Sequence, residues 1–322
     1  MSDVAVTLEQ AFGAARVRRN VPLAPMTTFK VGGPADLFLE TYAEAEVIEA
    51  VSIAHAGGVN VTLLGGGSNV LVADSGIRGL VIRPKGGSVS IVGSPEPAAS
   101  VPSVALVRAD AAITINGLVR WTINRGYAGL EAWAGTPGTV GGAICGNAHW
   151  KGTNIGDLVE SVRLARRDGA LLQAPADRME FDYDYSRLKR TGEIVLWAAF
   201  RVAPGGDPAA LRAVARQSLA FRKRTQPLES PSAGCIFMNP DPSRDRVPDG
   251  VPPSAGALVD RAGLKGVESH GARVSPTHAN FIINDGTASA AAIRELIERC
   301  RTAVKDQFGV TLRNEIIYLG NF

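Results

Sequence analysis

Two glycine-dense stretches constrain this chain more than anything else in it. Gly65-Gly-Gly-Ser-Asn69 runs straight out of the β-branched segment Val59-Asn-Val-Thr-Leu-Leu64, and Gly135-Thr-Pro-Gly-Thr-Val-Gly-Gly142 lies further on. Glycine has no Cβ and visits left-handed backbone freely, so in such loops several backbone N–H groups can converge on one anionic oxygen. Ser68 and Asn69 add side-chain donors to the first loop. Either stretch alone also reads as a tight bend. The first is not a Gly-x-Gly-x-x-Gly opening a helix, and no Lys-Ser/Thr pair follows it, which disfavours the two common nucleotide-binding loops. Two permissive loops in one chain, however, ask for something that both backbones approach. The expected partner is long and carries a diphosphate, a shape that a dinucleotide such as FAD has. Gly65, Gly66, Gly67, Ser68 and Asn69 are its candidate contacts on one side, and Gly135, Thr136, Pro137, Gly138, Thr139, Gly141 and Gly142 on the other.

The surrounding pattern is mixed α and β. Asp36 to Leu64 reads strand, helix, strand: a short apolar run, a helically spaced run over 43–56 stopped by Gly57-Gly58, and a β-branched run. Two strands are expected within 70–83, and the Gly/Pro/Ser-rich segment 85–103 reads as an exposed loop or hairpin tip. A helix is expected over Ile115 to Asn124 and a hairpin around Asp168-Gly169. Further on come a strand over Ile194 to Val202 and a helix from Asp207-Pro208 to about Arg224. A last helix, from about Ser289 to Phe308, places Ile293, Leu296, Ile297, Cys300, Val304 and Phe308 on one face, which assigns Cys300 to a core.

Composition removes several classes of function. The 322 residues, 45% of them hydrophobic, can bury more than one core. No run approaches the roughly 18 apolar residues of a membrane span, and the N-terminus lacks the order of a secretory signal, so a cytoplasmic location is expected. A net charge of +3 from 34 basic and 31 acidic residues suits an anionic small molecule, and no basic, aromatic-laced stripe points to nucleic acid. Cys145, Cys235 and Cys300 are too few and too scattered for a disulfide framework. His55, His149, His270 and His278 lack the paired spacing of a metal site, so no metal is expected. For Cys235, in Ser232-Ala-Gly-Cys-Ile-Phe-Met-Asn-Pro240, core packing and a chemical role both stay open.

Five segments in order, "MTTFKVGGPAD" (26–36), "LLGGGSNVLVADSGIRGLVI" (63–82), "GLEAWAGTPGTVGGAICGNA" (129–148), "PSAGCIFMNP" (231–240) and "LRNEIIYLG" (312–320), resemble the UDP-N-acetylenolpyruvoylglucosamine reductase family. The likeness covers nearly the whole chain, and the short separation of Tyr183 and Cys235 matches the more compact of two family subtypes. It implies an α+β protein with a two-part FAD-binding region of the vanillyl-alcohol-oxidase type and a smaller C-terminal α/β substrate domain. The boundaries expected are 1–84 (with the tail 310–322) and 85–224 for the flavin region, and 225–309 for the substrate domain. The implied chemistry is reduction of non-covalently bound FAD by NADPH, then hydride delivery to the enolpyruvyl group of UDP-N-acetylglucosamine enolpyruvate. The product, UDP-N-acetylmuramate, is a peptidoglycan precursor. A monomer with a UDP-sugar substrate and no membrane or nucleic-acid partner is expected.

Residue by residue, the likeness adds Asn147 to the cofactor contacts and makes Cys235 the proton donor and Glu315 its partner. Tyr183, Ser186 and Asn239 become substrate contacts. A thiol is protonated at neutral pH and is a stronger acid than a serine hydroxyl, so it suits protonation of an enolate. The family's Phe-x-Tyr-Arg-x-Ser reads here Phe181-Asp-Tyr-Asp-Tyr-Ser186, with Asp184 in place of the enolate-stabilising arginine. Arg187, or an arginine from elsewhere, is the expected substitute. Met238 stands where a lysine is usual, and His149-Trp-Lys151 replaces Gly-Ala-Tyr. These departures set two other readings beside the reductase: a noncatalytic flavin or UDP-sugar binder, and an oxidase on the same fold. No histidine in or beside either glycine loop is placed to tether a flavin, as such oxidases commonly do.

Overall fold

The structure is a computed structural model and describes residues 1–93, 104–241 and 243–322. Its chain divides into two interleaved compact units, one of residues 1–19, 37–66 and 79–221, the other of residues 20–36, 67–78 and 222–322.

Along the first part run α1 (Ser2–Phe12), β1 (Arg18–Pro22), β2 (Pro34–Thr41), α2 (Glu44–Ala56), β3 (Val61–Leu63), β4 (Val70–Val72) and β5 (Ile77–Pro84). The expected strand, helix and strand are present, and one sheet has the order β1-β2-β5-β3 with β3 parallel to β5. Glu44 and Glu46 in the first turn of α2 complement the positive end of its dipole. Leu37, Leu39, Leu80 and Ile82 from the strands, with Val47, Ala50, Val51 and Ala54 from α2, form an apolar core with Val4, Leu8 and Phe12 of α1.

Next come β6 (Val89–Gly93), β7 (Ala105–Asp110), α3 (Ile115–Asn124), α4 (Val140–Gly146), β8 (His149–Trp150) and β9 (Thr153–Asn154). They are followed by β10 (Val159–Ala165), β11 (Leu171–Pro175), α5 (Leu188–Thr191), β12 (Ile194–Val202) and α6 (Pro208–Thr225). The antiparallel sheet β11-β10-β12-β7-β6 packs a second core against α3 and α4, built on Val107, Ile115, Leu118, Val140, Ile144, Val162 and Phe200. The hairpin turns at Gly169, where φ is +84°. Of the two readings of 85–103, loop or hairpin tip, the hairpin is the one present: Val89 and Ile91 pair antiparallel with Ala109 and Val107, so 89–93 is an exposed edge strand that forms one arm with β7. The rest of that segment, 94–103, lies outside the described residues.

The last part contains α7 (Ala255–Arg261), β13 (Glu268–Ser269), β14 (Ala272–Val274), β15 (Ile282–Asn284), α8 (Ala290–Phe308) and β16 (Ile317–Leu319). Strands β13-β14-β15 form a small antiparallel sheet, and β16 runs parallel to β4. Helix α8 buries Ile293, Leu296, Ile297, Cys300 and Val304 in the core of the second unit, as its spacing predicts. Ser289 caps its N-terminus by accepting from the Ala292 N–H, and Gly309 at φ +72° ends it. Burial raises the Cys300 thiol pKa to about 12, consistent with a packing role.

Candidate active site

In the first unit the two glycine loops meet. A Cβ on Gly66 would sit 2.8 Å from the Gly138 Cα, and one on Gly65 would sit 2.6 Å from the Thr139 Oγ1. Glycine is therefore required at Gly66 so that the backbones can approach, whereas a side chain at Gly65 would displace the Thr139 hydroxyl. The second loop is braced from α3: the Gly135 N–H donates to the Asn116 Oδ1 at 2.7 Å, and the Gly138 carbonyl accepts from the Ile115 N–H. Thr139 caps α4 by accepting from the Gly142 N–H, while the Gly141 N–H reaches the Ala111 carbonyl. Gly135 and Gly138 adopt φ +83° and +100°, conformations that L side chains rarely take.

This bracing leaves particular donors over. Among the described residues, none accepts from the backbone N–H of Gly66, Gly138 or Thr139, nor, in the second unit, from that of Ser68. Unpaired N–H groups on glycine-bearing turns are the donor set that a diphosphate takes. The residues present fit FAD, and in the first unit Gly66, Gly138 and Thr139 are the ones whose amides would hold its phosphates. Gly135, Gly141 and Gly142 shape the loop, their own N–H groups being bonded within the protein. Asn147 is 1% exposed, with Nδ2 on the Asp182 carbonyl and Oδ1 accepting from the Gly156 N–H.

The second unit assembles the thiol site by backbone pairing. The segment 234–238 lies against 313–316: the Met238 N–H donates to the Arg313 carbonyl and the Glu315 N–H to the Ile236 carbonyl, both at 2.9 Å. Gly234 donates to the Ser68 carbonyl, and Asn69 Nδ2 to the Glu315 carbonyl at 3.1 Å, so the end of the first glycine loop is tied to both flanks. Buried Asn280 clamps the segment, accepting from the Phe237 N–H and donating to its carbonyl. Burial pushes the Cys235 thiol far above the usual thiol range, and the nearby charge of Glu315 pushes it the same way. A hydrogen bond with Asn280 and the charge of Arg222 oppose them. Arg222 is itself 5% exposed, and burial lowers its pKa to about 10. Asn239 accepts from the Ala255 N–H at the start of α7.

The Tyr183 region belongs to the first unit. Asp182 and Tyr185 exchange backbone hydrogen bonds of 3.0 Å, closing a two-residue turn in which Asp184 takes φ +49°. The Tyr183 ring lies against His149 with centroids 4.6 Å apart, and fully buried Ser186 donates to the Cys145 carbonyl at 2.7 Å. Arg187, the expected cation, is bonded through Nε and Nη2 to both oxygens of Glu193 and through Nη1 to the Arg178 carbonyl. The side chain beside Asp184 is instead Lys189, whose Nζ lies 2.8 Å from Oδ2. Sequence reasoning missed Lys189, Asn280 and Arg222. Nothing in the spacing of these three residues marks them, because only the fold brings them to Cys235 and Asp184.

Glycine loops with unpaired amides and a thiol whose pKa is raised by burial fit the class of FAD-dependent oxidoreductases. The profile of the UDP-N-acetylenolpyruvoylglucosamine reductase C-terminal domain matches residues 226–319, and that of an FAD-binding domain matches residues 35–174. The enzyme of that name from Parasynechococcus marenigrum is 37% identical over 309 residues, spanning 94% of this chain and 96% of its own. Its counterpart from Gloeobacter violaceus is 36% identical over 306 residues, spanning 95% and 97%. The crystal structure of the Thermus caldophilus reductase matches with a TM-score of 0.75 at 30% identity, covering 95% of this chain and 99% of that one. The chain belongs to the UDP-N-acetylenolpyruvoylglucosamine reductase family.

Proposed function

We propose that this protein reduces UDP-N-acetylglucosamine enolpyruvate to UDP-N-acetylmuramate, with Cys235 as the proton donor. The observation that carries the role of Cys235 is the pairing of segments 234–238 and 313–316, which sets its thiol among Glu315, Asn280 and Arg222. Bound FAD, once reduced by NADPH, supplies the hydride. A hydride arriving at the terminal carbon of the enolpyruvyl group forms a C–H bond and drives the π electrons onto the adjacent carbon and the carboxylate. The Cys235 S–H then gives its proton to that carbon. The thiolate left behind is stabilised by Asn280 and Arg222 and regains a proton from solvent. Glu315, by disfavouring that thiolate, keeps the donor loaded between turnovers. Tyr183 and Asn239 hold the substrate, Tyr183 from the turn at 182–186 and Asn239 from the segment beside the start of α7, while Ser186, expected as a third contact, is fully buried on the Cys145 carbonyl and holds that turn in place. The division at residues 1–84, 85–224 and 225–309 into two flavin-binding parts and a substrate domain goes with this reading, as do a cytoplasmic location and a monomeric state. Among the described residues no helix is long and apolar enough to cross a membrane.

The test is anaerobic and has two halves. NADPH is expected to bleach the flavin of the purified holoenzyme, and UDP-N-acetylglucosamine enolpyruvate to restore its colour with formation of UDP-N-acetylmuramate. In Cys235→Ala the first half is expected to stay within about twofold, and the second to slow by about 100-fold or more. Equal loss in both halves refutes the role of Cys235.

A further inference from the structure

The reaction above gathers negative charge beside a carboxylate that the substrate already carries. A cation near the substrate contacts stabilises that charge in proportion to how well it is fixed in advance. Three basic side chains lie within four residues after Ser186. Arg187 is committed to Glu193 and the Arg178 carbonyl. Arg190 donates through Nη2 to both oxygens of the exposed Glu180, at 2.8 and 3.1 Å. Lys189 differs from both. Its ammonium donates to the Asp184 carboxylate at 2.8 Å and to the Asp184 carbonyl, and its third N–H has no acceptor among the described residues.

The pair is buried at one end only: the Asp184 side chain is 6% exposed, that of Lys189 23%. His149 lies against the Tyr183 ring, and its protonation is opposed first by burial and then by the nearby charge of Lys189. Asp184 can serve as the anchor because it occupies the left-handed position of the 182–185 turn, which aspartate tolerates better than most side chains. Two of the three ammonium donors are thereby fixed by one residue, and the third is left for an oxygen from outside.

We propose that Lys189 binds the carboxylate of the enolpyruvyl substrate and stabilises the charge that develops beside it, with Asp184 as its positioning residue. The inference rests on the reductase reading and concerns only which cation serves it. A purely structural ion pair predicts something different: loss of both members together is harmless to chemistry.

Both half-reactions of the holoenzyme separate the two. Lys189→Met is expected to reduce its flavin with NADPH at the wild-type rate, to be reoxidised by the enolpyruvyl substrate about 100-fold more slowly, and to bind UDP-N-acetylmuramate about tenfold more weakly by calorimetry. Lys189→Arg, which keeps the charge, is expected to stay within about tenfold of wild type. The double variant Asp184→Asn/Lys189→Met leaves no buried charge without its partner, so it guards against a folding defect in the single variant. It is expected to be as slow in reoxidation as Lys189→Met. Wild-type reoxidation in either Lys189→Met or the double variant overturns the proposal. A wild-type enzyme whose reduced flavin the substrate fails to reoxidise refutes the reductase reading itself, an outcome no behaviour of these variants imitates.

Discussion

At Cys235 the thiol has to keep its proton until the enolate forms and then lose it to carbon. Burial and Glu315 raise its pKa, so the acid form persists well above the pH at which an ordinary thiol, near about 8.5, is half ionised. The sign is fixed by the direction of the shift: a raised pKa extends the protonated range upward. Reoxidation of the reduced flavin by substrate is accordingly expected to show no inflection near pH 8.5, and a loss of rate titrating there would contradict the assignment. At Gly66 the constraint is steric. A methyl group placed 2.8 Å from the Gly138 Cα has only backbone to displace, so Gly66→Ala is expected to cost about 1–3 kcal/mol and lower the flavin-to-protein ratio of the purified enzyme. Flavin content equal to wild type with unchanged melting would show that the loops part without penalty. The glycines were legible in the sequence because their requirement is local. Which of their amides remain for a phosphate was not, since that depends on Asn116, Ala111 and Ile113, residues that other segments bring to the loop.

Elements fix these residues through their ends. Helix α8 begins under two oxygens of Asp74, which accept from the Ala290 and Ala291 N–H groups at 2.8 and 2.9 Å. A carboxylate there satisfies two otherwise unpaired donors and faces the positive end of the helix. Asp74→Ala is expected to destabilise the protein by about 1 kcal/mol, read as a lower midpoint in urea at unchanged slope. An unchanged midpoint would assign the cap to Ser289 alone. Periodicity located α8 in advance because a helix writes its buried face into its own spacing, and Asp207-Pro208 marked the start of α6. The extent of strand β6 escaped detection for the opposite reason: its residues are exposed, and only the pairing of Val89 and Ile91 with β7 makes them a strand. Asp74 likewise gives no hint in sequence of the helix it caps, which lies far along the chain.

For the whole molecule, the flavin is part of the stability balance. A ligand that binds only the folded state at about 100 times its dissociation constant adds about 2.7 kcal/mol. Removal of FAD is therefore expected to lower the melting temperature by a few degrees, and added FAD to restore it; identical melting curves with and without flavin would argue that the glycine loops do not hold it. The sequence by itself determined the family, the α+β class, the two glycine loops and the thiol, because these rest on backbone permissiveness, periodicity and motif order, all properties of neighbouring residues. Tertiary structure alone decided the electrostatics. It tied Arg187 to Glu193, set Lys189 on Asp184, and brought Arg222, Asn280 and Glu315 around Cys235. An ion pair or a shifted thiol depends on distance and burial through space, and neither is encoded in the spacing of residues along the chain.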